Sequence, residues 1–372
     1  MKKIKKFLSI VICIALFLGL TVDNGQVNAK ANSESTYVAL GDSITTGYGL
    51  VNFNNNDNKN KLSANNFVNK LSKKLGKKAF NLGVEGIDSS RLLEAISKPT
   101  TDEQKAAIAQ IKNASVITIS IGGNNAMLPL LAVLNGKLGK GKTIYNASEQ
   151  EILTAAMSLF FDSTLNNKLQ KDIKDSVTTF NGDNKKAGDF SNIISTIKKL
   201  NPKAKIIVQT IYNPYDFYFL DFVDTAIKSM NAKIIKDSAN GKNFMVADVY
   251  SAFSKAKSGT ELVNADTGKT FDPHPTAKGH DVIYTVVASA ALNNSLPYAV
   301  KAVMTKGKLT TKVSEGELVL TVTPSKGYKL PKNITLTIGN GAKTTLTLKN
   351  GKASVPIADV GADIKVIGTC SK

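Results

Sequence analysis

From Tyr37 onward the chain alternates short apolar runs with stretches of helical period, and this alternation most limits what it can fold into. Runs at Tyr37 to Leu40, Ala79 to Leu82, Val116 to Ile121, Lys205 to Ile211 and Phe244 to Val249 read as strands covered on both faces. Between them Phe67, Leu71 and Leu75 recur at helical spacing and stop at Gly76, as an amphipathic helix with a glycine end does. Thr100 to Glu103 is expected to form the capping box of the helix that carries Ile108 and Ile111. Parallel strands cannot be joined by tight turns, so intervening helices make the crossovers. The prediction is an α/β fold, a three-layer doubly wound parallel sheet of about five strands.

Two stretches depart from that repeat. Residues from about 128 to 190 separate the third and fourth strands by more than one crossover needs, and Leu130, Leu131, Leu134, Ile152, Leu153, Ala156 and Leu159 give them helical period. They are expected to form a helical insert. After Leu296-Pro297 the character changes to β-prone runs at Glu317 to Val322, Ile334 to Ile338, Thr344 to Leu348 and Ile364 to Ile367, with Asn-Gly turns at Asn340-Gly341 and Asn350-Gly351. Residues 298–372 are therefore expected to be a small all-β, sandwich-like accessory domain, and a chain ended near Pro297 is expected to fold alone. At the other end, Lys2, Lys3, Lys5 and Lys6 precede an apolar stretch from Phe7 to Leu20 and the small-residue site Val27-Asn28-Ala29. This is the pattern of an export signal over residues 1–29, cut near Ala29, and its apolar run is shorter than the ~20 residues of a membrane span. Residues 30–297 are then the main domain of a bacterial protein that is secreted or held at the cell surface.

The composition, 42% hydrophobic and 21% charged, suits a soluble globular chain and excludes a disordered or multi-spanning one. The net charge is +19, yet Arg91 is the single arginine and the lysines are scattered. That argues against nucleic acid, which favours arginine forks interleaved with aromatics. Solvated lysine faces are the plain reading, and attraction to an anionic cell wall or membrane surface is the second. Cys13 lies in the signal and leaves Cys370 alone, so no intramolecular disulfide forms and thiolate metal sites are excluded.

The first apolar run leads straight into Gly41-Asp42-Ser43-Ile44-Thr45-Thr46-Gly47-Tyr48-Gly49. A serine just past the carboxyl end of a strand in such a sheet faces the ligand crevice, the place of a nucleophile. A phosphate cradle would want a lysine where Tyr48 stands, and a plain capped turn is the structural alternative. The chain has two histidines, and one lies in Asp272-Pro273-His274-Pro275. Imidazole titrates near neutrality and can take a serine proton, while a carboxylate can fix its tautomer, so Ser43, His274 and Asp272 supply nucleophile, base and orienting acid. A rigid turn, or a weak metal site from Asp272, His274 and His280, are the competing readings, with His280 otherwise packing the next helix. Segments after the second and third runs, Gly83-Val84-Glu85-Gly86-Ile87 and Gly122-Gly123-Asn124-Asn125, should face the same crevice. Gly86 and Ser43 could offer backbone N–H groups and Asn124 an amide to a developing oxyanion.

These four blocks, in this order across roughly residues 36 to 292, resemble the SGNH (GDSL-type) hydrolases, a family of flavodoxin-like esterases and lipases. The resemblance implies that Ser43 is the nucleophile, His274 the general base with Asp272 beside it, and Ser43, Gly86 and Asn124 the oxyanion hole. It also implies that no cofactor and no metal are needed. Three departures stand out: Asn125 occupies a position where aspartate is common, Glu85 precedes Gly86 where a small residue is frequent, and Asp272 lies two residues before His274 instead of three. Tyr212-Asn213-Pro214-Tyr215 resembles a segment of some secreted bacterial members and is expected to line the pocket. The expected function is a secreted serine ester hydrolase acting through an acyl-enzyme on a lipid acyl ester or an O-acetylated glycan. The alternative is a non-catalytic surface-binding protein on the same scaffold. Acyl-chain length, oligomeric state and the use of Cys370 are not encoded in any motif of the chain.

Overall fold

A computed structural model of the chain describes residues 35–51, 63–144, 146–215, 221–267 and 272–372. The export signal read in residues 1–29, and Phe271 of the histidine block, lie outside the described residues. Strands β1 (Thr36–Gly41), β2 (Ala79–Gly83), β3 (Ala114–Ser120), β4 (Lys205–Gln209) and β5 (Met245–Ala247) form one parallel sheet in the order β2-β1-β3-β4-β5. Its register sets Tyr37 beside Ala79 on one side and Val116 on the other. The five runs read from the sequence are these five strands.

Eleven α-helices are described: α1 (Ser43–Thr46), α2 (Phe67–Leu75), α3 (Ser89–Ser97), α4 (Asp102–Asn113), α5 (Gly123–Lys137), α6 (Glu149–Phe161), α7 (Ser163–Asn181), α8 (Asp189–Leu200), α9 (Asp221–Ser238), α10 (Val249–Ser254) and α11 (Ala277–Ala291). Because side chains alternate along a strand, each strand feeds two cores. Val38, Leu40, Ile117, Ile119, Ile206 and Val208 point into one core, shared with α3 to α9. Tyr37, Ala39, Val116 and Ile207 point into the other, with Phe67 and Leu71 of α2, Ala252 of α10 and Ile283 and Val287 of α11. The stretch 128–190 holds the end of α5, all of α6 and α7, and the start of α8. The capping box sits one residue later than expected: Thr101 accepts from the Gln104 N–H at 3.2 Å, and the Gln104 side chain reaches back to the Thr101 N–H. Gln104 is as able to close the box as Glu103, and only the helix start decides between them.

After Pro297 come β6 (Val300–Thr305), β7 (Gly307–Ser314), β8 (Glu317–Pro324), β9 (Asn333–Ile338), β10 (Thr344–Thr347), β11 (Lys352–Pro356) and β12 (Ile364–Thr369). They form a four-stranded sheet, β10-β9-β12-β6, and a three-stranded antiparallel sheet, β11-β8-β7. The β12–β6 pair is parallel and the other pairs of the larger sheet are antiparallel. Strands β6, β7 and β11 were not read from the sequence; of their residues only Val313 is buried, so a pattern of core-facing positions is weak in all three. The apolar residues of this region are continuous with the second core of the main sheet. Val313, Leu318, Leu320, Ile357 and Ala358 are buried in the same cluster as Ala252, Val287 and Leu296. The Val313 N–H donates to the Asn294 carbonyl at 2.9 Å, and Lys255–Glu317 (3.3 Å) and Lys257–Asp359 (2.8 Å) pair across the seam. Among the described residues no helix is long and apolar enough to cross a membrane.

His280 is a core residue of α11, fully buried and stacked on Phe67 with ring centroids 6.1 Å apart. Burial, then the charges of Lys70 and His274, push its pKa down to about 3. The unfolded chain therefore binds a proton that the folded chain refuses, so stability falls as pH drops from about 6.5 toward 3. Between pH 7 and 4 this loss should reach about 3 kcal/mol. Buried Asp42, raised to about 6, acts with the opposite sign between about pH 4 and 6, favouring the fold at the acid end. A comparison of wild type with His280→Phe cancels that part. Urea unfolding at the two pH values should show the extra acid loss in the wild type only, and equal losses in both proteins would refute it.

Candidate active site

The site is assembled where β1, β2 and β3 end. Gly41 closes β1 at φ +147°, and a Cβ there would lie 2.2 Å from the Ser120 carbonyl oxygen, so only glycine lets β1 and β3 approach this closely. Val84 N–H donates to the Gly41 carbonyl (2.8 Å) and Asp42 N–H to the Ser120 carbonyl (3.2 Å), which ties the three strand ends together. The next residue, Asp42, caps α1 by accepting from the Ile44 N–H at 3.1 Å. Ser43 is thus the first helical residue after a strand. Asn66 and Asn81 both donate to the Thr45 carbonyl, at 3.0 and 2.7 Å, and hold this short turn in place.

His274 reaches the same point from a remote segment of the chain. Residues 262–265 pair antiparallel with 272–276: Asn264 N–H donates to the His274 carbonyl, Ala265 N–H to that of Asp272 and Thr276 N–H to that of Leu262, each at 2.9 Å. Tyr212, buried and stacked on Phe253, donates its hydroxyl to the Pro273 carbonyl at 2.7 Å. Within the segment expected to line the pocket, Tyr212 anchors the histidine loop. His274 Nε2 lies 2.9 Å from Ser43 Oγ, and His274 Nδ1 lies 2.5 Å from Asp272 Oδ1. The two-residue spacing works because Asp272 Oδ1 also accepts from the His274 backbone N–H at 3.1 Å, an Asx turn that folds the carboxylate back onto its own histidine.

Asn264 donates to Asp272 Oδ2 at 2.8 Å. Burial pushes the Asp272 carboxyl up, but the hydrogen bond and charge of His274 and the Asn264 amide outweigh it and hold it below the usual carboxylate range. The carboxylate therefore stays charged beside the ring. No sequence pattern marks Asn264, which is placed only by the pairing just described. Tyr48, noted in the sequence only as a non-lysine, packs its ring 4.5 Å from that of His274. His280 lies apart, against Phe67, so Asp272, His274 and His280 do not converge as a metal site; no metal-holding group of three or more such side chains occurs among the described residues.

Gly86 sits at φ +68° in the turn Val84 to Ile87, and a Cβ on it would meet nothing within 4 Å. Arg91 Nη2 donates to its carbonyl. Asn124 opens α5 and donates through Nδ2 to the Ile87 carbonyl at 2.9 Å, fixing the amide next to the Gly86 turn. Asn125 is buried: its Oδ1 accepts from the Ser89 N–H (3.1 Å) and its Nδ2 donates to Ser89 Oγ (3.0 Å). An aspartate could not donate the second of these bonds, so asparagine at this position ties the start of α3 to the start of α5.

A serine hydroxyl on an imidazole that is itself held by a carboxylate can act as an acyl-transfer nucleophile. The sequence profile of the GDSL-like lipase/acylhydrolase family matches residues 39–282, the span that contains all of these groups. The chain belongs to that family. A search of curated proteins returns no match. Among solved structures the chain is similar to phospholipase A1 from Streptomyces albidoflavus, with 16% identity over 70% of this chain and 100% of that one and a TM-score of 0.44. An extracellular lipase from Streptomyces rimosus gives 17%, 70%, 98% and 0.45 for the same quantities, and a lipase/acylhydrolase from Enterococcus faecalis gives 15%, 69%, 96% and 0.39. As a GDSL-like hydrolase, the chain is an esterase or lipase whose substrate is an ester.

Proposed function

We propose that this GDSL-like hydrolase is exported and cleaves carboxylic esters through an acyl-enzyme on Ser43. The carrying observation is the relay Ser43 Oγ, His274 Nε2 at 2.9 Å, and His274 Nδ1 with Asp272 Oδ1 at 2.5 Å. His274 takes the serine proton as Oγ attacks the acyl carbonyl, then gives it to the departing alkoxide. Water, deprotonated by the same imidazole, releases the acid and restores the serine. The Ser43 and Gly86 N–H groups and the second N–H of Asn124 Nδ2 receive the oxyanion in both steps, where one such donor lowers a barrier by about 3–4 kcal/mol. The signal pattern in residues 1–29 supports export, and the reading takes an acyl lipid or an acylated glycan as substrate with the region after Pro297 as the accessory unit.

A fluorophosphonate probe tests the nucleophile directly, because Oγ displaces fluoride from phosphorus and keeps the label. One label per chain on Ser43, abolished in Ser43→Ala, is the expected result. A chain that binds wall material but takes no label would instead be the binding protein on a hydrolase scaffold.

A further inference from the structure

The chain carries a net charge of +19, yet among the described residues three carboxylates surround the catalytic histidine. Asp42, Glu85 and Asp272 all act on His274 through space. Asp42 is buried under the serine turn and Asp272 is committed to His274 and Asn264, so of the three only Glu85 is exposed. Its backbone is fixed by the Val84 to Ile87 turn, whose Val84 N–H is tied to Gly41 and whose Ile87 N–H bonds the Val84 carbonyl at 3.2 Å. Its carboxylate lies near Thr46, three residues after the nucleophile, and its charge bears on Tyr48, the residue that packs against His274. The nearby cation, Arg91, is engaged by the Gly86 carbonyl and by Asp88 Oδ2 at 3.2 Å.

For a neutral ester this placement is unfavourable. Gly86, the next residue, is a proposed oxyanion donor, and a carboxylate beside it opposes the negative charge that grows there. A positive charge on the substrate would reverse the sign of that interaction. We propose that Glu85 is a specificity-determining residue that selects esters bearing an ammonium group within a few bonds of the scissile carbonyl, of the aminoacyl type, and disfavours esters with an anionic group there. The proposal rests on the serine ester hydrolase reading and names the substrate class of that site.

Three umbelliferyl esters with the same trimethylene spacer separate the charges: the isosteric pair 4-trimethylammoniobutyrate and 5,5-dimethylhexanoate, and the hemiglutarate. In the full-length wild type, kcat/KM is expected to fall in that order, by about threefold or more per step at low salt, the scale of one partly exposed ion pair. In Glu85→Gln the cation-to-neutral ratio should drop by about that factor and the anion-to-neutral ratio should rise by it. Raising NaCl from about 20 mM to about 500 mM should shrink the wild-type discrimination and leave that of the variant nearly flat. Equal ratios in both proteins, or a wild-type preference for the hemiglutarate, would overturn the proposal. Absence of turnover on all three esters, with no fluorophosphonate label on Ser43, would instead sink the hydrolase reading beneath it.

Discussion

Replacing His274 by alanine is expected to lower kcat on a p-nitrophenyl ester by about four orders of magnitude, and Ser43→Ala by at least as much. The hydroxyl is almost wholly protonated at neutral pH, and the imidazole 2.9 Å away is the group placed to take that proton. Four orders correspond to about 5.5 kcal/mol of transition-state stabilisation. The double variant should be hardly worse than either single one, because the two side chains perform one step together. Asp272→Ala should cost less, about 10²- to 10³-fold, since the base survives and only its tautomer and orientation are lost. KM should move little in all of these variants. Near-normal turnover in His274→Ala would show that another group is the base.

The second large effect concerns stability. Ending the chain near Pro297 removes β6 to β12 and uncovers the face of α10 and α11 on which the 3-10 turn Ile357–Asp359 packs. Leu318, Leu320, Ile357 and Ala358 leave a core that is shared with Ala252 and Val287, and each large apolar side chain so buried is worth about 1.5–3 kcal/mol. The seam changes the expectation drawn from composition, that the shorter chain folds unaided. The truncated protein should melt about 10 °C or more below the full chain, or accumulate as aggregate. The full chain should unfold in one cooperative transition. Two separate transitions, with the truncated protein melting where the first of them does, would show that the two regions fold independently. Because α11 starts three residues after His274, turnover by the truncated protein should fall together with its thermal stability.

The sheet was legible because its strands are covered on both faces: Tyr37 to Leu40 is apolar at every position and buried, and the other runs are mostly so. The helix starts were legible where a side chain caps them, with single-residue slips such as Thr100 for Thr101 where two neighbours can serve. Strands β6, β7 and β11 escaped notice because they bury a single residue, Val313, and so offer no clear core-facing period. Ser43, His274 and Asp272 stood out by chemistry, the serine by its strand-end block and the histidine by its scarcity. Asn264 and the anchoring of Pro273 by Tyr212 did not, since each depends on a partner brought in from another segment.

The linear chain thus determined the α/β sheet, its order of elements and the residue types able to carry acyl transfer, because apolar period and side-chain chemistry are local properties. Tertiary structure decided the rest. Packing brought an imidazole to 2.9 Å from a hydroxyl 231 positions away, folded Asp272 back onto its neighbour, and set Glu85 within electrostatic reach of His274. It also merged the β-rich tail with the second core. Distances between remote residues follow from how whole elements bury their apolar faces against each other, and no stretch of sequence contains that information by itself.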